Sequence, residues 1–243
     1  MNSNRRVVAH VHSDWSYDGS WPLERIAQLF SRLGVNLVLM TEHDTGFAPS
    51  RFAEYRRACE GASTRRCRLV PGIEYSSPDN RVHLLTWGLA HFLAEHRPVE
   101  ETLARVAEGG GVAVFAHPAR QDAWRLMQAD WLPLLAGIEI WNRKTDGVAP
   151  GAAALRLHRE TGLAALVGID FHRARQLWPL DHVMSSDDID PERAVVEALQ
   201  QRALRPRAFS APLLDETDRR VRAGGVHMKL EAVRRGLRGR RRP

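Results

Sequence analysis

Val7-Val8-Ala9-His10-Val11-His12 is a short apolar run that ends on two histidines one residue apart. A run of this length, rich in β-branched side chains, reads as a strand. Outward from it, Pro22–Leu33 reads as a helix, with Ser20 as a cap and Pro22 in its first turn. The alternation then continues. Strands are expected at Val35–Met40, Leu69–Tyr75, Val82–Gly88, Val112–Ala116, Gly137–Trp141, Ala164–Ile169 and Arg207–Ala211. Helices are expected at Ser50–Cys59, Val99–Glu108 (closed by Gly109-Gly110-Gly111), Gln121–Leu135, Ala152–Thr161 and Pro191–Arg202. Strands alternating with helical segments imply βαβ units and a parallel sheet, and about seven such units closing on one another make a barrel. The expected class is α/β.

The 243 residues are 44% hydrophobic and 26% charged, enough for one sizeable core. No run of roughly 18 apolar residues offers a transmembrane helix. Met1–Arg6 lacks the apolar segment and cleavage site of a secretory signal. Two cysteines, Cys59 and Cys67, build neither a disulfide framework nor a cysteine zinc site. The expectation is a cytoplasmic protein, and the sequence leaves the oligomeric state open. The net charge of +6 is uneven: Arg219–Pro243 holds ten bases against one acid, while residues 1–218 carry a net −3. The reading is one domain, 1–218, followed by a basic C-terminal tail, 219–243. Such a tail is either solvated or a contact for nucleic acid or another acidic partner.

Polar residues collect at the strand ends, where a parallel α/β fold gathers its active site. In order they are His10-Val11-His12 with Asp18, Thr41-Glu42-His43-Asp44, Gly72-Ile73-Glu74, His83, Phe115-Ala116-His117-Pro118 and Gly168-Ile169-Asp170-Phe171-His172. Strand residues i and i+2 face one side, so His10/His12 and Asp170/His172 each present two ligands together. An H-x-H alone says little. Six of the eleven histidines interleaved with Asp18, Glu74 and Asp170 say much more, because polar groups on apolar strands are costly without a purpose. Imidazole and carboxylate suit Mn, Fe or Zn. Arg120, Arg143, Lys144 and Arg173 follow strand ends and are placed to clamp a phosphate through charge-assisted bonds. Glu139 reads either as a mouth residue or as a salt-bridge partner. Trp15 and Trp21 read as core rather than substrate wall, and His91, His96, His158, His182 and His227 as surface.

These motifs, over about residues 7–175, resemble those of the polymerase-and-histidinol-phosphatase (PHP) superfamily. The resemblance implies a distorted (β/α)7 barrel with two to three divalent metal ions in a trinuclear site. It implies one metal on His10, His12, Glu74 and Asp170, a second bridged by Glu74 and held by His83 and His117, and a third on Asp18, His43 and His172. Three departures stand out: Glu42 in place of the usual Asp, Ile169 in place of the usual Ser, and only 33 residues between His83 and His117, where longer relatives carry an inserted domain.

The expected function is metal-dependent hydrolysis of a small phosphomonoester, of nucleotide or sugar-phosphate type, with Arg120 or Arg173 binding the substrate. The alternatives are a nuclease that uses the tail to hold nucleic acid, a hydrolase of carbon esters or carbamates, and an inactive scaffold. Retention of all nine ligands argues against the scaffold.

Overall fold

Val7, Val8, Ala9 and Val11 place apolar groups on both faces of the first strand, β1 (Asn4–Val11), which is therefore buried on both sides. The computed structural model describes residues 4–221 apart from 187, 216, 218 and 220. All of the basic segment except Arg219 and Val221 lies outside the described residues. After β1 come α1 (Leu23–Arg32), β2 (Leu37–Met40), β3 (Glu42–His43), α2 (Phe52–Ala62), β4 (Arg68–Val70), β5 (Gly72–Ser76), β6 (His83–Trp87), α3 (Val99–Glu108) and β7 (Val112–Phe115). The chain continues with β8 (Leu135–Asn142), the one-turn α4 (Arg143–Asp146), α5 (Ala152–Thr161), β9 (Ala164–Phe171), β10 (Leu180–Ser185), α6 (Pro191–Gln200), β11 (Arg205–Ala208) and β12 (Ala211–Pro212). Among the described residues, no helix is long and apolar enough to cross a membrane.

From β1 the pairings run one way to β2 and then β4, and the other way through β9, β8, β7 and β6 to β5. β3 continues the line of β2 and pairs with β5. On the far part of β1, β10, β11 and β12 add an antiparallel extension. Alternate residues of each strand face two different apolar layers. Val7, Ala9, Leu37, Leu39, Val112 and Val114 pack with Ala194, Val195, Ala198 and Leu199 of α6. Val8, Val11, Val38 and Met40 face the outer helices, where α1 lays down Leu23, Ile26, Ala27 and Phe30 at helical spacing.

Several expectations are corrected. The sheet is mixed, because β6 runs antiparallel to both β5 and β7. Only six residues join β5 to β6, enough for a hairpin and too few for a parallel crossover. Gln121–Leu135 is not an α-helix but two short 3₁₀ stretches, Arg120–Leu126 and Ala129–Trp131. Gln121 (φ 50°) and Asp122 (φ 55°) turn left-handed and break the hydrogen-bond ladder. The run Leu69–Tyr75 is divided at Pro71, which has no N–H to give. β10 is not among the expected strands, since Asp181 and His182 disguise its apolar character. Ser20 is no helix cap; its hydroxyl donates to the His172 carbonyl at 2.9 Å, and Pro22 takes the cap position.

Candidate metal centre

Three strand ends bend to bring the polar residues together. His10 (φ 64°), His117 (φ 27°) and Asp170 (φ 49°) all sit in the left-handed region. At β1–β9 the register slips so that Ala9 pairs with Gly168 but Val11 pairs with Phe171. A bulge of this kind re-aims side chains, and each such backbone costs on the order of 1–3 kcal/mol that the surrounding packing must supply. Because β6 is reversed, its first residue, His83, lies at the same sheet edge as Glu74.

Glu74 is the centre. Its Oε1 lies 2.7 Å from His83 Nδ1 and 2.8 Å from His117 Nε2. Its Oε2 lies 3.4 Å from both His10 Nε2 and His12 Nε2, and 3.1 Å from His43 Nδ1. Asp170 Oδ1 stands 3.9 and 3.8 Å from His10 and His12 Nε2 and 3.2 Å from His172 Nδ1. Asp18 reaches across to His43 Nε2 (3.4 Å) and His172 Nε2 (3.1 Å). All nine sequence-derived ligand candidates thus converge. Four triads of donor atoms lie close enough to hold an ion: His10/His12/Glu74, Glu74/His83/His117, His10/His117/Asp170 and His12/His43/His172.

The donor set fits divalent metals. Its atoms are imidazole nitrogens and carboxylate oxygens. His12 Nε2, His117 Nδ1 and Asp18 Oδ1 are buried without a hydrogen-bond partner. Burial pushes the Glu74 carboxyl up, but the His10 and His83 charges outweigh it and hold it well below the usual range. Asp170 is lowered despite its burial by His10 and Lys144, and Asp18 despite its burial by hydrogen bonds to His172 and His43. Burial, with His43 and His172 nearby, keeps His12 neutral. His43 is also buried, which lowers it, but its bonds to Asp18 and Glu74 lift it to about 10. A bound cation would take the place of that proton, as metals do when they displace protons from their ligands.

Around these residues is a supporting layer. Glu139, 1% exposed, sits behind the cluster rather than at a mouth. Its Oε1 is 2.9 Å from His10 Nδ1, and its Oε2 accepts the His117 backbone N–H at 2.7 Å and the Asn142 side chain at 3.0 Å. Asn142 Nδ2 also donates to Asp170 Oδ2 at 3.2 Å. Gly168 makes room for this: a Cβ there would stand 1.7 Å from Glu139 Oε1. Glu42 accepts from the Ser13 hydroxyl (2.6 Å) and the Ser16 hydroxyl (2.5 Å), tying down the loop after β1. Sequence reasoning misses Asn142 and Asn80, whose Oδ1 meets His83 Nε2 at 2.7 Å. The buried Glu139 inside Gly137-Ile138-Glu139-Ile140-Trp141 is the legible signal, since a mid-strand carboxylate needs a partner.

The cluster forms the floor of a cleft of about 270 Å³ whose wall includes Tyr17, Asn80, His96, Arg120, Lys144 and Thr145. Arg120 donates to the Asn80 carbonyl at 2.6 Å and passes 3.2 Å from His83 Nε2. Lys144 Nζ is 3.3 Å from Asp170 Oδ1. Arg173 is exposed and is not on this wall, and Arg143 stacks on Trp178 instead. Trp15 packs against Phe47 and Tyr55, and Trp21 edge-on to Phe171, so both belong to the core. Of the histidines read as surface, His91 is exposed, His96 lines the cleft, and His158 and His182 are buried; His227 lies outside the described residues. Cys59 and Cys67 are buried away from the cleft, their thiols pushed up by burial.

No protein-family model matches the chain, and no curated protein is similar to it in sequence. Solved structures are similar in fold. A two-domain protein from Bacteroides vulgatus containing a predicted PHP-like metal-dependent phosphoesterase matches with TM-score 0.63 at 16% identity, over 88% of this chain and 66% of that one. PsfC from Pseudomonas syringae matches with TM-score 0.66 at 15% identity, over 98% of this chain and 100% of that one. The lesion-specific endonuclease EndoQ from Pyrococcus furiosus matches with TM-score 0.58 at 15% identity, over 87% and 58%. The chain thus spans just under two thirds of the Bacteroides protein and little more than half of the endonuclease. At these identities the likeness is one of fold, and that fold is the one seen in PHP-like phosphoesterases.

Proposed function

We propose that this chain is a metal-dependent hydrolase of the PHP superfamily, and that it cleaves a small phosphomonoester. The observation that carries this reading is the convergence of six histidines, Asp18 and Asp170 in one cluster with Glu74, with buried donor atoms left unmatched. With β2/β3 and β4/β5 each counted as one interrupted strand, the pairings return to β1, which supports reading the sheet as a distorted seven-stranded barrel. On this reading residues 1–218 are the hydrolase module and 219–243 a basic tail.

Divalent ions (Mn, Fe or Zn, two to three per chain) would supply Lewis acidity toward a phosphoryl oxygen and an acidified water as nucleophile. The chain's own residues do the rest. Glu74 faces two sides at once, Oε1 toward His83 and His117 and Oε2 toward His10, His12 and His43, so it would help to hold an ion on either side. Asp18, His43 and His172 form the third group. Glu139 fixes the tautomer of His10 by accepting from Nδ1, which leaves Nε2 to face the cleft. Arg120 and Lys144 stand on the wall where the non-reacting phosphoryl oxygens would lie, and they replace Arg173 as the clamp. A cleft of about 270 Å³ suits a small substrate. Phosphoryl transfer asks mostly for this kind of positioning and charge neutralisation.

A second reading, cleavage of a nucleic-acid phosphodiester, is favoured by the fold likeness to a lesion-specific endonuclease. One experiment separates the two. Protein purified without chelator is assayed for metal content and then against phosphomonoesters, phosphodiesters and short DNA and RNA, with and without residues 219–243. Two to three metal equivalents and a preference for monoesters that survives truncation are expected. Turnover of polymers only, lost on truncation and steeply salt-dependent, supports the nuclease. Less than one equivalent, with no activity on adding metal, removes the metal reading.

A further inference from the structure

Away from the histidine cluster lies a cavity of about 560 Å³, within the range of small-molecule sites. It opens where α5 ends, β9 begins and β11 runs toward β12. Most of its wall is apolar, including Leu163, Ala165, Val183, Leu204 and Leu214. Set into that wall are Arg202, Arg205 and Arg207, against one acid, Asp215. Arg207 is committed to Asp181, with Nε at 2.7 Å and Nη2 at 3.1 Å. Arg202 and Arg205 are exposed, and neither guanidinium has a partner among the described residues. Asp215 does not answer them through Oδ1, which accepts from the backbone N–H groups of Thr217 and Arg219 and from the Thr217 hydroxyl.

His158 is a second, independent sign. It is 3% exposed and belongs to the same wall. Its Nδ1–H donates to the Leu163 carbonyl at 2.7 Å, and Nε2 is buried with no hydrogen-bond partner. A buried polar atom without a partner is uncommon in a finished interior. The cavity is also distinct from the metal centre. β9 starts on its wall at Ala164 and Ala165 and delivers Asp170 to the cluster six residues later, roughly 20 Å along an extended strand.

We propose that this cavity is a second binding site, for an organic anion with an apolar body. Arg202 and Arg205 hold its carboxylate or phosphate, and the leucine-lined wall takes the body. The site does not depend on the metal centre or on any hydrolytic activity.

The test is titration of the full chain with 8-anilinonaphthalene-1-sulfonate, an apolar organic anion whose fluorescence rises on burial. Saturable binding is expected. Arg202→Glu with Arg205→Glu should weaken it about a hundredfold, about tenfold for each charge-assisted hydrogen bond removed. Both side chains are exposed, so the fold should persist, and an unchanged melting temperature checks this. Arg66→Glu, an exposed arginine elsewhere, should leave affinity as it was. Displacement by decanoate but not by adenosine monophosphate assigns the anion as a carboxylate, and the converse assigns a phosphate. Absence of saturable binding, indifference to the double reversal, or displacement by neither competitor overturns the proposal.

Discussion

Two polar clusters in this chain each set buried carboxylates against basic side chains and differ in how they are satisfied. Asp181, on β10, has its acceptors met: Oδ1 takes Arg207 Nε at 2.7 Å, and Oδ2 takes Arg6 Nη2 at 2.7 Å and Arg207 Nη2 at 3.1 Å. Its neighbour His182 accepts the Val167 N–H at 3.0 Å through Nε2 and turns Nδ1 to the Val7 carbonyl at 3.3 Å. Around Glu74, by contrast, five imidazoles crowd two carboxylate oxygens, and His12 Nε2 and His117 Nδ1 are buried without a hydrogen-bond partner. The first cluster closes on itself and ties β10 to the sheet. The second leaves buried donor atoms unmatched, which is what supports the proposed metal centre.

The largest expected effect follows from that contrast. Glu74→Gln should abolish phosphoester turnover, by about 10³-fold or more, because on the proposed reading several kcal/mol of transition-state stabilisation would depend on ions held at Glu74. Its circular dichroism should stay that of the intact protein. If Glu74→Gln keeps most of the turnover, the contrast between the clusters has been misread.

The next effect belongs to the satisfied cluster. Burial pulls the His182 pKa down to about 4, against an ordinary 6.5, so the native state holds it neutral while the unfolded chain takes up a proton first. Its contribution is therefore present above pH 6.5 and is lost as pH falls toward 4, on the order of 3 kcal/mol in total. Urea melts at pH 7.5 and 4.5 should show this loss in the native protein and a shallower one in His182→Gln. Equal slopes would place the acid sensitivity elsewhere.

Smaller again is the supporting layer. Glu139→Gln replaces one acceptor of His10, His117 and Asn142 with a donor, and metal affinity should fall about 10- to 100-fold, measured by competition with a chelator. Gly168→Ala should act in the same direction by displacing the Glu139 carboxylate. A loss of stability without any loss of metal affinity would make Glu139 a structural residue like Asp181. The smallest effects are at the wall: Arg120→Ala should raise KM for a phosphomonoester about tenfold, whereas Arg173→Ala should change it by no more than about twofold.

The alternation of strands and helices, the helices Val99–Glu108 and Ala152–Thr161, and all nine side chains of the cluster that contains Glu74 are legible in the residues alone. Each rests on a local property: period, apolar run, or a costly polar group at the end of one. What local pattern does not encode is direction, register and backbone hand. The reversal of β6 comes from a connection too short to cross over, and it alone brings His83 to the edge where Glu74 stands. The left-handed turns at His10 and Asp170 accompany a slipped register between β1 and β9, strands far apart in sequence. The same long-range pairings decide that Glu139 lies behind His10, that Arg173 faces solvent while Arg120 and Lys144 face the cleft, and that His182 is buried with both nitrogens satisfied. Residue type sets which groups are expensive to bury. Only the folded arrangement decides which of them find a partner.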